Sequence, residues 1–476
     1  MKLVVIGGGI AGLAAAHRAV ELARESGRTS DLTLIEARDR LGGTIQTERV
    51  DGFTVETGPD SFLSEKPWAL ALCRRLGVED QLIRTDDRYR KVFVWRAGRL
   101  HPLPDGFQLL APTRFAPFAT SGLFSWPGKL RMAMDLVLPR GGTGDDESLG
   151  AFVRRRLGAE ALERVAQPLV AGIYTADPDE LSLAATMPRF LELERRERSL
   201  ILGLWRAAKK APLPGTSGAR WSLFVTFKNG MQQMVDTLAA RLPDSAVQLK
   251  TRVTGIERAG AGWRVGVGGG GFEADAVIVA AESHGAARLL RYVDPQITTL
   301  LGDIPYASSA TVSLGYRRED VPHALDAFGF VVPRTEGRAL LAATFSSVKY
   351  PGRAPDGFVL IRCFLGGALD AAMLDRGDAE LIAQAREELR AALGLTATPV
   401  LTRLARHPAS MPQYLVGHLA RVEAIEHRVA SLPGLVLAGG AYRGVGIADC
   451  VRSGEAAAEA ALGVTADRSS GPHQAK

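Results

Sequence analysis

Cysteine is nearly missing from this chain. Its 476 residues contain three, Cys73, Cys363 and Cys450, with no Cys-x-x-Cys pair. That argues against a disulfide framework and a cysteine metal site, and fits a reducing cytoplasm. Histidine is also scarce, eight residues without a metal-ligand cluster, so no metal is expected, and no Ser/His/Asp motif is apparent. No apolar run reaches the ~18 residues of a membrane-spanning helix. The apolar start from Leu3 to Ala16 opens on glycines and lacks a cleavage site, so it reads as strand, turn and helix rather than a signal peptide. A basic tract for nucleic acid is lacking too. The 58 Lys and Arg against 52 Asp and Glu leave +6, which suits anionic substrates or an anionic membrane surface without demanding either.

What is present is a large apolar fraction, 46%, enough for two or three domains. Leu3 to Ile6 reads as a buried strand, Ala11 to Arg24 as a helix and Leu32 to Ile35 as a second strand, the first half of a βαβ unit. Trp263 to Val267, the run Gly268 to Gly271 and Ala276 to Ala280 predict a hairpin feeding a buried strand. Leu435 to Ala438 predicts a final strand before a helix from Cys450 to Leu462. One nucleotide-binding domain is therefore assembled from 1–82, 220–285 and 411–464. A mainly helical insertion is expected over 83–219. A sheet domain is expected over 286–410, with a strand at Ser309 to Tyr316 and a helix at Asp378 to Leu393. The tail 465–476 reads as disordered.

Gly7-Gly8-Gly9-Ile10-Ala11-Gly12 has mechanical meaning because it joins a strand to a helix. Gly7 permits the turn, Gly9 admits a diphosphate, Gly12 lets the helix pack closely, and the helix N-terminus offers N–H groups and positive potential. Glu36 ends the second strand about 20 residues on, where a carboxylate accepts ribose hydroxyls. The pair Gly42-Gly43 in Glu36-Ala37-Arg38-Asp39-Arg40-Leu41-Gly42-Gly43-Thr44 resembles flavoproteins of the amine oxidase and phytoene desaturase type. So does Gly444-Val445-Gly446-Ile447 near the far end. The resemblance implies FAD, and a fold of α/β plus α: a Rossmann-like FAD domain, a mixed-sheet substrate domain and the helical insertion.

Four interior segments narrow the resemblance: Gly58-Pro59-Asp60-Ser61-Phe62-Leu63, Gly172-Ile173-Tyr174, Arg198 to Gly203, and Ser410-Met411-Pro412-Gln413-Tyr414. With these the chain resembles, over nearly its whole length, the protoporphyrinogen and coproporphyrinogen oxidases of haem synthesis. Thr120 to Ser125 and Ala133 to Pro139 look most like the bacterial branch that oxidises coproporphyrinogen III; protoporphyrinogen IX is the alternative substrate. More distant alternatives are an amine oxidase, a carotenoid desaturase, or a porphyrin-binding flavoprotein without turnover.

The resemblance implies FAD contacts at the first glycine turn, at Glu36, Ala37, Arg40, Gly42, Gly43 and Thr44, and at Gly58, Pro59, Asp60 and Ser61. Val253 would lie near the adenine, and Val445, Gly446 and Ile447 near the isoalloxazine. His407 stands in Arg406-His407-Pro408, where relatives often carry Trp nearby; it either packs on the flavin or lies on the surface. Lys66 is expected to meet a substrate propionate, its alternative being a solvated lysine. Gly172 would leave room for the flat ring and Val331 would wall the pocket, although core packing explains Val331 nearly as well. The implied chemistry is a six-electron oxidation in three cycles of hydride transfer to flavin N5, with O2 as acceptor and H2O2 as product; no catalytic side chain is assigned. Hand-over to a ferrochelatase is implied, and the oligomeric state is left open. Phe115, Phe118, Phe124 and Trp126 with Arg114, Lys129 and Arg131 read either as a peripheral contact with the inner face of the cell membrane or as a substrate-domain wall.

Overall fold

The computed structural model describes residues 1–27, 31–108, 110–141, 146–210 and 222–464; the tail at 465–476 lies outside them. The first strand, β1 (Lys2–Ile6), is buried from Leu3 onward, as a continuous apolar run must be at the centre of a parallel sheet. Helix α1 (Ile10–Glu25) follows, then β2 (Asp31–Ile35). The five-stranded parallel sheet runs Val247–Gln248, β2, β1, Ala276–Val279, Leu435–Leu437. Distant parts of the chain thus complete one layer. Helix α2 (Ile447–Ala461) closes it by lying on α1. Their backbones approach so closely that a Cβ on Gly454 would sit 2.1 Å from the Ala11 carbonyl oxygen.

The expected hairpin is part of a three-stranded antiparallel sheet, Val253–Ala259, Gly262–Val267 and Gly270–Ala274. Of the glycine run, Gly268 and Gly269 make the turn, while Gly270 and Gly271 already belong to the next strand.

Strands β3 (Tyr306–Arg317), β4 (Phe358–Gly366) and β5 (Leu401–Pro412) anchor a seven-stranded sheet. Its order is β5, β3, β4, Leu340–Phe345, Gly329–Val331, Val92–Arg96, Arg99–Pro102. The last two strands come from the stretch expected to be mainly helical. Val94 pairs in parallel with Val331, a contact between segments too distant for local periodicity to reveal. Helix Asp378–Leu393 has the predicted bounds and buries Leu381, Ala385 and Leu389 against this sheet.

Helices between residues 115 and 210 form a further layer around Phe118, Phe152, Leu162 and Phe190. A buried charge network fastens it. Arg156 and Asp135 are 1% and 0% exposed; Arg156 Nε donates to Asp135 Oδ1 at 2.7 Å, and Ser199 Oγ donates to Asp135 Oδ2 at 2.6 Å. Two of the family-like segments, 133–139 and 198–203, therefore serve helix packing here.

Candidate functional site

The first glycine turn has the shape that dinucleotide binding requires. Gly7 has φ +107°, and a Cβ there would lie 2.4 Å from the Ala280 carbonyl oxygen; one on Gly12 would lie 1.9 Å from Gly7 O. A Cβ on Gly9 would meet nothing within 4 Å, so this side of the residue is open to a diphosphate. Ile10 and Ala11 open α1, whose N-cap Gly9 provides no side-chain cap. Gly446, the N-cap of α2, provides none either. Two helix N-termini thus keep N–H groups that no capping side chain satisfies.

Glu36 stands beside this turn: its Oε2 accepts from Gly8 N at 2.7 Å and its Oε1 from Arg38 N at 2.8 Å. A carboxylate has about four acceptor sites, so capacity remains for a diol. Gly42 N donates to Gly8 O at 2.8 Å, which seats Gly42-Gly43 against the first turn. Arg40 ties that second turn together, donating to Gly43 O at 2.7 Å and Ile45 O at 3.0 Å. Ala37 and Thr44 are exposed at the rim. Thr251, two residues before Val253, donates its N–H to Glu36 O at 2.9 Å, so Val253 lies near the end of the second strand.

Gly58 packs on this rim, since a Cβ there would fall 1.7 Å from Thr44 O. Just before it, the Thr57 carbonyl accepts from Arg362 Nη2 at 2.9 Å and faces His407 Nε2 at 2.8 Å. His407 is therefore no surface histidine. It sits half-buried on β5, and burial lowers its pKa, so the neutral ring donates through Nε2. Pro59 is half-buried. Asp60 accepts from Ser61 Oγ at 2.6 Å and pairs with Lys349 at 3.1 Å. Burial opposes its charge, but Lys349 and then Arg362 prevail and hold its pKa at about 2. Neither Lys349 nor Arg362 belongs to a sequence motif named above. The available signal for Arg362 was a lone charge inside the apolar strand β4.

At the far end, Tyr414 braces the loop that carries Val445, Gly446 and Ile447. Its hydroxyl donates to Gly440 O at 2.7 Å and accepts from Gly444 N at 2.8 Å. His418 stacks on the Tyr414 ring with centroids 3.9 Å apart. Gln413 Nε2 donates to Tyr174 O at 3.1 Å, which connects this brace to the Gly172-Ile173-Tyr174 segment.

The expected substrate residues fall in two places. Lys66 meets an internal carboxylate, its Nζ lying 2.5 Å from Asp449 Oδ2; Lys66 is 40% exposed and Asp449 5%. Gly172 and Val331 converge on Ala342. A Cβ on Gly172 would meet only Ala342 Cβ, at 3.9 Å, and Val331 pairs with Ala342 across the sheet. Val445 packs against the same apolar cluster as Val331. Gly172, Val331, Ala342 and Val445 are thus gathered on one apolar cluster. Val331, only 7% exposed, spends most of its surface on packing.

All three cysteines are free and buried, and burial pushes Cys450 and Cys73 up to about 12. Among the described residues no group of three His, Cys, Asp or Glu could hold a metal ion. No helix among them is long and apolar enough to cross a membrane.

Residues 10–462 match the family described as flavin containing amine oxidoreductase. The coproporphyrinogen III oxidase of Bacillus subtilis is 38% identical over 97% of each chain. The chloroplastic protoporphyrinogen oxidase of Nicotiana tabacum is 30% identical over 98% of this chain and 85% of that one. A solved structure from Exiguobacterium sp. 255-15, provisionally assigned as a protoporphyrinogen oxidase, superposes with TM-score 0.84 at 31% identity, covering 96% and 98% of the two chains. The uncapped helix N-termini, the open space at Gly9 and the Glu36 carboxylate fit FAD. With likeness running from end to end, the chain belongs to the flavin containing amine oxidoreductases, alongside these porphyrinogen oxidases.

Proposed function

We propose that this protein is an FAD-dependent porphyrinogen oxidase of haem synthesis whose favoured substrate is coproporphyrinogen III. The observation that carries the reading is the end-to-end likeness to the Bacillus subtilis enzyme, stronger than that to the tobacco protoporphyrinogen oxidase. The packing is compatible with it: a side chain at Gly172 would project toward Ala342, which with Val331 and Val445 belongs to one apolar cluster on which a flat macrocycle could rest. Bound FAD supplies a two-electron oxidation, and a porphyrinogen requires three such oxidations to become a porphyrin. The chain's own contribution is placement, to which small errors are costly in rate. Lys66 has three N–H donors; one serves Asp449, and its exposed side can take a propionate. O2 is the proposed acceptor, H2O2 the co-product and a ferrochelatase the next recipient.

The test sets coproporphyrinogen III against protoporphyrinogen IX at matched concentrations, following porphyrin fluorescence and oxygen uptake. The expected outcome is flavin-dependent turnover of both, with kcat/KM about tenfold higher for the tetracarboxylate, a preference of about 1.4 kcal/mol. A faster protoporphyrinogen reaction reverses the substrate assignment. Absence of turnover above air oxidation removes the function.

The protein's location is proposed as the cytoplasm with peripheral membrane contact. The support is a helical row of exposed apolar side chains, Trp126, Leu130, Met134 and Val137, at 69%, 68%, 47% and 71% exposure. The nearby basic residues contribute less than composition suggested. Lys129 is buried on Ala119 O, and Arg131 holds the carbonyls of Arg154, Arg155 and Arg156.

A further inference from the structure

Behind Asp60, between strand Phe53–Glu56, β3 and β4, lies a cavity that the flavin and substrate reading leaves unused. Its lining includes Glu56, Asp60, Ser313, Tyr350, Arg353 and Arg362. With Lys349, paired to Asp60, the group holds three cations and two carboxylates, one positive charge in surplus. Both carboxylates already have partners. Glu56 accepts from Met231 N at 2.9 Å and Thr47 Oγ1 at 2.7 Å, and Asp60 is held by Ser61 and Lys349. Burial pushes the Glu56 carboxyl above its ordinary range and the Arg353 and Arg362 guanidinium groups below theirs.

The donors are less well served. Arg353 is spent on Thr226 Oγ1, Phe227 O and Lys228 O. Arg362 gives Nη2 to Thr57 O, but its Nε has no hydrogen-bond partner among the described residues. The Tyr350 hydroxyl is buried and has no hydrogen-bond partner among the described residues, although Ser61 is near enough to act on it. Arg362 and Tyr350 are 5% and 1% exposed, so bulk water cannot satisfy them, and a buried unsatisfied donor costs ~1–3 kcal/mol. The space is small, with room for one water or one monatomic ion.

We propose that this cavity is a structural binding site for one monatomic anion, a halide of the chloride class. A water molecule satisfies the two donors but leaves the surplus charge unbalanced, and a cation is repelled by it. Carboxylates and oxyanions exceed the volume. The halide would fix Arg362, and through it the Thr57 carbonyl and the Gly58-to-Ser61 segment against which FAD is expected to lie.

The test uses the FAD-loaded protein at constant ionic strength, with sodium gluconate exchanged stepwise for sodium chloride. The melting temperature should rise with the logarithm of chloride once the site begins to fill. A crystal grown in bromide should show an anomalous peak against Arg362 Nε. Tyr350→Phe keeps the ring and removes one donor, so it should shift the chloride midpoint about tenfold upward; Arg362→Gln should abolish the dependence. Equal melting in chloride and gluconate overturns the site and assigns the cavity to water. A bromide peak without chloride-linked stability also overturns it, as an adventitious ion only. Neither readout depends on porphyrinogen turnover, so this inference and the proposed activity fail separately.

Discussion

Lys66 and Asp449 stand 383 positions apart and meet at 2.5 Å, so the ion pair and the proposed propionate contact of this lysine can be measured apart. Removing one partner of a fully buried pair costs about 3–5 kcal/mol. Because Lys66 is 40% exposed, solvent reduces that to roughly 1–2 kcal/mol for Lys66→Ala. Adding Asp449→Asn should restore most of the lost stability, since the uncompensated charge goes with it. It should not restore the apparent KM, which Lys66→Ala is expected to raise with FAD content intact. Recovery of both quantities in the double variant would confine Lys66 to the ion pair. Lys66 stands out in the sequence by its place after the Gly58-to-Leu63 segment. Its partner does not, because no local pattern reports a contact across most of the chain. His407 shows the same limit: its neighbourhood was readable, but its bond to the Thr57 carbonyl arises only when β5 crosses above that segment.

Elements with strong internal periodicity were read closely, among them α1 and helix Asp378–Leu393. Segments that take their structure from distant partners were not. Val92–Arg96 joins the large sheet only by pairing with Gly329–Val331, and Arg99–Pro102 follows it as a local hairpin partner. The helix Trp126–Ala133 and the turn after it illustrate the difference between composition and geometry. Lys129 and Arg131 are consumed inside the fold, whereas Trp126, Leu130, Met134 and Val137 point outward at spacings of three to four residues. Burying a Leu or Val side chain is worth about 1.5–3 kcal/mol. Leu130→Glu with Val137→Glu should therefore weaken co-sedimentation with phosphatidylglycerol vesicles by at least tenfold. Such exposed substitutions should change folding stability by no more than about 0.5 kcal/mol. Equal sedimentation of the variant and the parent would place membrane contact elsewhere or nowhere.

For the whole molecule, buried imidazoles set a pH limit. Burial holds His17, His323, His407 and His418 below the ordinary value. As pH falls through about 6.5 the unfolded chain takes up these protons first, so stability rises with pH in that range and is lost below it. The denaturant midpoint should accordingly decline from about pH 7 to about pH 5.5, and His407→Gln should flatten part of the slope. A midpoint constant down to pH 5 would contradict the assignment of neutral rings. Asp60 acts in a lower window. Its contribution is fully present above about 4, its ordinary pKa range, and is lost as the pH approaches about 2.

The five-stranded sheet has one further consequence, in the order of synthesis. Its central strand is the first to leave the ribosome, while its edge strand Leu435–Leu437 and the helix lying on α1 are among the last. Domains generally fold as units once their chain is complete. Here the nascent protein must carry an unfinished layer through the production of more than four hundred residues. FAD capture then becomes a finishing step, and a chain cut before Gly444 would leave α1 uncovered and cofactor-free.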